Sequence, residues 1–268
     1  FITARFIFGL LLGSFINVIA VRYDPARPLL GRHVIGGRSR CASCGAGLRP
    51  YELVPLLSFL IQRGRCRRCS ARLSWQYPIS EFLSGLIVAV VPWAVARAFF
   101  VGVPLAHASP LSYYALATVF TAAALILLLI ALIDLRLSII PDQCVIAIGA
   151  LGIAAAGVIA ATGLFGEFSG SFVSHYAALA GMRANVWVNR IAAAVIGFGF
   201  FAAIVAVTRG RGMGIGDVKL ALALGLLLGW PDVAPALLLS FIIGAAWSIV
   251  GMVRGSVRLK SAVPFGPF

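Results

Sequence analysis

Residues 212–230 read GMGIGDVKLALALGLLLGW. After Asp217 the run carries a single charge, Lys219, and is otherwise apolar. It is one of seven apolar runs, at 5–21, 79–101, 112–134, 143–163, 190–208, 217–230 and 233–253. Most approach the ~20 residues that carry a helix across a bilayer. The 217–230 run is short, which implies tilt or a thin membrane around it. Composition agrees: of 268 residues 61% are hydrophobic and 11% charged, with mean hydropathy +1.03. A soluble domain does not have that balance. The sequence opens on Phe1 and stops in VPFGPF, which reads as the start of another helix near 264. Both ends therefore read as clipped. The expected fold is an all-α polytopic membrane protein of about eight transmembrane helices, the last truncated.

A net charge of +14 invites a nucleic-acid partner, but the position of the arginines argues for membrane lipid instead. Residues 22–78, the one large polar segment, hold eleven of them. The positive-inside rule places that segment in the cytoplasm and the N-terminus outside. Alternating the spans puts Arg136, then Arg209 and Arg211, then Arg254, Arg258 and Lys260 on the same side. The outer segments 102–111 and 164–189 carry only Arg183, although Arg97 and Arg190 at outer span ends weaken the pattern. The first span is not a cleaved signal peptide, because its strongest positive flank follows it. No nucleic-acid partner is expected.

The chain has eight acidic residues. Asp134 closes the third span and Asp217 opens the sixth, so the topology sets both at the cytoplasmic ends of their helices, at one depth. Charge near the membrane interior is costly and marks function. Two carboxylates within hydrogen-bonding distance cannot both ionise cheaply, so such a pair shares a proton. The ionised member can activate water while the protonated one donates to a carbonyl. Gly214 and Gly216 fit that pattern by letting backbone approach a substrate strand. The competing reading makes Asp217 a cap or first-turn residue and pairs Asp134 with Arg136 or Lys219. Asp142, after Pro141, reads as an N-cap, with support of the aspartate pair as the alternative. Glu81 reads as a first-turn residue complementing its helix dipole. Asp24, Glu167 and Asp232 read as solvated.

Four of the five cysteines form Cys41-Ala-Ser-Cys44 and Cys66-Arg-Arg-Cys69. Two such turns aim four thiolates at one zinc ion, and structural disulfides are rare in the reducing cytoplasm. Four thiolates leave no open coordination position, so Zn2+ here is structural, and the folding of residues 38–72 depends on it. A redox role is the alternative. Arg65, Arg67 and Arg68 either ease thiolate formation or face lipid headgroups. Cys144 reads as packing.

The ordered set GSFINVIAVR, the two CxxC pairs, RPYELVPLLSFLIQRGRCRRC, SWQYPISEFLSG, ALIDLRLSIIPD, GMGIGDVKL and VPFGPF resembles the type IV prepilin peptidases, membrane aspartic proteases of the Gly-x-Gly-Asp type. The resemblance runs from about residue 9 to 268. It implies an inner-membrane enzyme that removes the basic leader of prepilins or pseudopilins on the cytoplasmic side. It further implies methylation of the new N-terminus with S-adenosylmethionine. By motif position Asp134 and Asp217 match the catalytic aspartates, Gly214 and Gly216 the motif glycines, and Cys41, Cys44, Cys66 and Cys69 the zinc cysteines of bifunctional members. The implied division is a first transmembrane helix at 1–21, a zinc-ribbon-like domain at 22–78 and an aspartic protease domain at 79–268. No residue pattern identifies the cofactor site; Glu52 and Glu81 are the candidates to bind a sulfonium or a substrate amine. A peptidase without methylation, a transporter with both aspartates in a proton path, and a zinc-ribbon scaffold are the other readings.

Overall fold

The structure, a computed structural model, describes residues 2–29, 31–100, 109–164, 170–173, 185–210, 213–253 and 266–267. Gly212, Arg211, Arg183, the loop 254–263 and much of the outer segment lie outside the described residues. Six helices are long and apolar enough to cross a membrane. They are α1 (Ile2–Arg22), α4 (Gln76–Phe100), α5 (Pro110–Leu137), α6 (Asp142–Thr162), α7 (Val186–Thr208) and α9 (Val233–Val253). A seventh, α8 (Ile215–Leu228), has 14 residues. Each expected span thus corresponds to a helix, but the count of eight is not reached among the described residues. Only Gly266 and Pro267 are described near the expected eighth. Between α1 and α4 lie two short helices, α2 (Arg32–Ile35) and α3 (Leu57–Ile61), and a 3-10 turn at Pro50–Leu53.

Local chemistry sets the ends of these helices. Ser109 caps α5 by accepting from the Ser112 N–H at 3.1 Å, with Pro110 in the first turn. Asn185 caps α7 by accepting from the Trp187 and Val188 N–H groups.

Helices in lipid gain little from burying apolar surface against one another, so close packing at small residues holds them together. A Cβ on Gly9 would fall 2.6 Å from the Ser84 carbonyl oxygen, and one on Gly13 2.7 Å from the Glu81 Cα. The Gly9/Gly13 pair thus seats α1 on α4. The same device clasps α8. A Cβ on Gly225 would fall 2.4 Å from the Ala194 Cα of α7, and one on Gly152 of α6 2.7 Å from the Leu226 carbonyl carbon.

At 1.5 Å per residue α8 is about 21 Å long, well short of the ~30 Å hydrocarbon core. Its last carbonyls therefore need partners inside the protein. Arg190, 2% exposed, supplies them: its guanidinium donates to the carbonyls of Leu226 and Leu227. Asn189 donates to the Trp230 carbonyl at 2.8 Å and accepts from its N–H at 3.0 Å. Arg190 is thus no outer-loop charge, which accounts for its misfit with the arginine pattern. Asp232, expected to be solvated, is buried. It accepts from the Ser171 hydroxyl at 2.7 Å and from the Phe172 and Val173 N–H groups at 3.0 and 3.1 Å.

Candidate active site

Asp134 stands in the last turn of α5 and Asp217 in the first turn of α8. Gly216 brings the two helix ends together. It rests on Ile140 in the α5–α6 connection, where an added Cβ would come within 3.2 Å of the Ile140 Cβ. Each carboxylate is held by a backbone donor. The Gly266 N–H donates to Asp134 Oδ2 at 2.9 Å, and the Gly214 N–H donates to Asp217 Oδ2 at 3.1 Å. Asp134 is buried and Asp217 half-buried.

The cations expected to neutralise Asp134 are engaged elsewhere. Arg136 donates to the carbonyls of Ala20, Val21 and Tyr23, closing the end of α1. Lys219 reaches Asp142 at 2.8 and 3.0 Å. Asp142 is therefore not an N-cap: Pro141 holds that position without a side-chain bond, and Asp142 ties α6 to α8 as an exposed ion pair. The motif glycines also differ in role. Gly214 has φ −81°, which any residue adopts, and a Cβ there would make only ordinary contacts, with Asp217 Oδ2 at 3.4 Å and the Gly216 N at 3.9 Å. Gly216 packs tightly, and a side chain there needs Ile140 to give by a few tenths of an ångström. The residue that sequence reasoning missed is Gly266, whose Cβ would fall 2.8 Å from Asp134 Oδ2.

From this acidic end a groove of about 510 Å³ runs between helices. Asp217, Leu220, Leu224 and Leu228 line it along one face of α8, opposite Ala124, Leu128 and Leu135 of α5 and Ile79 and Leu83 of α4. Gly266 and Pro267 close on it as well.

The four cysteines converge. Their Sγ atoms all lie within 4.8 Å of one another, with Cys41 and Cys69 at 3.8 Å. A tetrahedral zinc with bonds of about 2.3 Å has sulfur–sulfur edges of about 3.8 Å, so the set fits zinc. The two turns share one design. Cys41 N–H donates to the Ala46 carbonyl and Cys66 N–H to the Ala71 carbonyl, both at 2.9 Å. An isolated bridge closes each turn, Arg40 to Gly47 and Arg65 to Arg72. Gly45 and Ser70 turn the chain with φ of 69° and 56°. Backbone N–H groups of Cys44 and Ser43 favour the Cys41 thiolate, lowering the thiol to about 6.

The remaining acids separate. Glu52 accepts from the Arg49 N–H at 2.7 Å and so caps the turn at Pro50–Leu53. Glu81 is not a first-turn residue, because α4 begins at Gln76. It is buried in the α1–α4 seam and accepts from the Leu56 N–H at 2.8 Å. Beside it in that seam, Gln76 donates to buried Asn17 at 3.0 Å. Asn17 Nδ2 and Ser84 Oγ are buried without a hydrogen-bond partner.

An aspartate lining the end of an apolar helical groove, a second aspartate on the facing helix end and a separate four-thiolate cluster make this a candidate membrane aspartic peptidase. The chain belongs to the type IV leader peptidase family. The model of that family matches residues 121–249, and that of the bacterial peptidase A24 N-terminal domain matches residues 7–95. A Bacillus subtilis protein named prepilin leader peptidase/N-methyltransferase is 32% identical over 264 residues, covering 98% of this chain and 88% of its own. Proteins of the same name from Burkholderia pseudomallei (strain K96243) and Pseudomonas putida are 31% and 30% identical, with 80% and 87% of their lengths covered. No solved structure matches.

Proposed function

We propose that the chain cleaves the leader from prepilins or pseudopilins at the cytoplasmic face of the inner membrane, and methylates the new N-terminus. One observation carries the peptidase reading. Asp217 lines the end of an apolar groove, Asp134 is held at the same end by the N–H of Gly266, which also lines it, and among the described residues neither aspartate has a cationic partner. The substrate's apolar segment lies along Leu220, Leu224 and Leu228, which sets the scissile bond at the aspartates. The ionised carboxylate takes a proton from water as that water attacks the carbonyl carbon. The protonated carboxyl donates to the carbonyl oxygen. When the C–N bond breaks, the departing amine receives a proton from the pair. A transporter would need polar groups through the membrane depth, whereas beyond Asp217 the groove is lined by apolar side chains and a single hydroxyl, Ser240, which donates to the Leu237 carbonyl of its own helix.

Zinc on Cys41, Cys44, Cys66 and Cys69 holds the 22–78 domain together. S-adenosylmethionine, when bound, supplies an electrophilic methyl group. Glu81 is the better candidate to receive its sulfonium or the substrate amine, since its seam holds two unsatisfied polar atoms and Glu52 serves as a cap. Glu81→Gln keeps an acceptor for the Leu56 N–H and removes the charge, so cleaved but unmethylated product is expected from it.

The test is mass spectrometry of a prepilin incubated with the purified protein and S-adenosylmethionine. Asp134→Ala and Asp217→Ala are each expected to lower cleavage by about 10²–10⁴-fold with zinc content and helicity intact. Full cleavage by either variant would return that aspartate to a capping role.

A further inference from the structure

We infer that the four-cysteine domain carries a binding site for the phosphate of an anionic phospholipid in the leaflet from which α1 and α4 emerge. The site is a cavity of about 500 Å³ lined by Phe59, Leu60, Arg63, Arg65, Arg72 and Trp75. Neither aspartate lines it, and the inference is independent of the peptidase reading.

Three observations point to an anion there. First, other arginines of the domain are used internally: Arg22 donates to the carbonyls of Val34, Gly36 and Arg38, and Arg67 stacks 5.2 Å from the Tyr51 ring. Among the described residues, Arg63, Arg65 and Arg72 have no carboxylate within ion-pair distance. Second, Arg65 and Arg72 face each other across the bridge that closes the second cysteine turn. Like charges directly opposite are destabilising. The first turn pairs Arg40 with Gly47 at the same place, so the turn itself does not demand two cations. An anion between them removes the repulsion. Third, the rim is apolar and exposed. Leu60 and Trp75 are each 70% exposed, and Trp75 stacks on Phe59 at 5.1 Å.

Continuity of the chain identifies the source of the phosphate. Trp75 directly precedes α4, which begins at Gln76, so the cavity lies at the depth where the span leaves the membrane. Tryptophan favours that interface, and arginines beside it attract anionic headgroups. The basic leader of a substrate would be repelled.

The test uses the full chain in detergent, titrated with short-chain phosphatidylglycerol and, separately, phosphatidylcholine. Binding is read by tryptophan fluorescence and by native mass spectrometry. Phosphatidylglycerol is expected to bind, and to weaken roughly fivefold for each of Arg63→Gln, Arg65→Gln and Arg72→Gln. Arg68→Gln, outside the cavity, is expected to leave it unchanged. Raising salt on the unmodified protein, where no variant can misfold, should also weaken it. Equal binding of both lipids, or no loss in the three variants together, overturns the proposal. Full competition by millimolar inorganic phosphate would reassign the site to a free anion and overturn the lipid.

Discussion

At the scale of single residues, glycines 214, 216 and 266 divide by what surrounds them. Gly266 approaches Asp134 so closely that a methyl group there must push the carboxylate aside. Gly266→Ala is expected to cost about 10²-fold in kcat/KM for leader cleavage, the effect of a displacement near 1 Å at a reacting group. Zinc content should not change. Gly214→Ala, with only ordinary contacts, should stay within a few-fold of the parent; steady-state kinetics on one prepilin separates the two. Lys219→Ala removes an exposed ion pair, worth about 1 kcal/mol or less, so thermal unfolding in detergent should barely shift. The clustering of the four cysteines was legible in sequence from the spacing of the two CxxC pairs, and the placement of Asp134 and Asp217 at helix ends was legible from the apolar runs that they close and open. Gly266 and the separate tasks of Glu52 and Glu81 were not. Their partners, Asp134 and the backbone N–H groups of Leu56 and Arg49, are set by tertiary packing or by a turn with no hydropathy signal.

Among the helices, α8 relies on its neighbour α7 for donors to its last carbonyls. Arg190→Met leaves its final carbonyls without a donor inside the protein. The expected loss is about 1.5–3 kcal/mol, the range for charged hydrogen bonds, measured by denaturant unfolding in micelles. Gly225→Val drives a side chain into Ala194 and should abolish the folded protein. Gly157→Val, where nothing lies within 4 Å, should be tolerated. Hydropathy located every one of these helices because lipid contact demands an unbroken apolar run. It could not foresee that Arg190 and Asp232 are interior groups, since a charge at a span end reads as a loop until the neighbouring helix is known to stop short.

For the whole molecule, the thiolate cluster and the helical body are distinct sources of order. The helices pack through Gly9, Gly13, Gly152 and Gly225, all outside the cysteine domain. Chelating the metal is therefore expected to expose residues 38–72 to protease while leaving most helical circular dichroism in place. Loss of the helices on chelation would mean that the domain nucleates the rest.

Asp134 and the N–H that steadies it are separated by 132 residues of chain. A ribosome moving at about 5–20 residues per second needs roughly 7 to 26 seconds to cover that distance. Within that interval α6, α7, α8 and α9 are made in turn, so the Asp134 carboxylate exists well before the N–H that holds it.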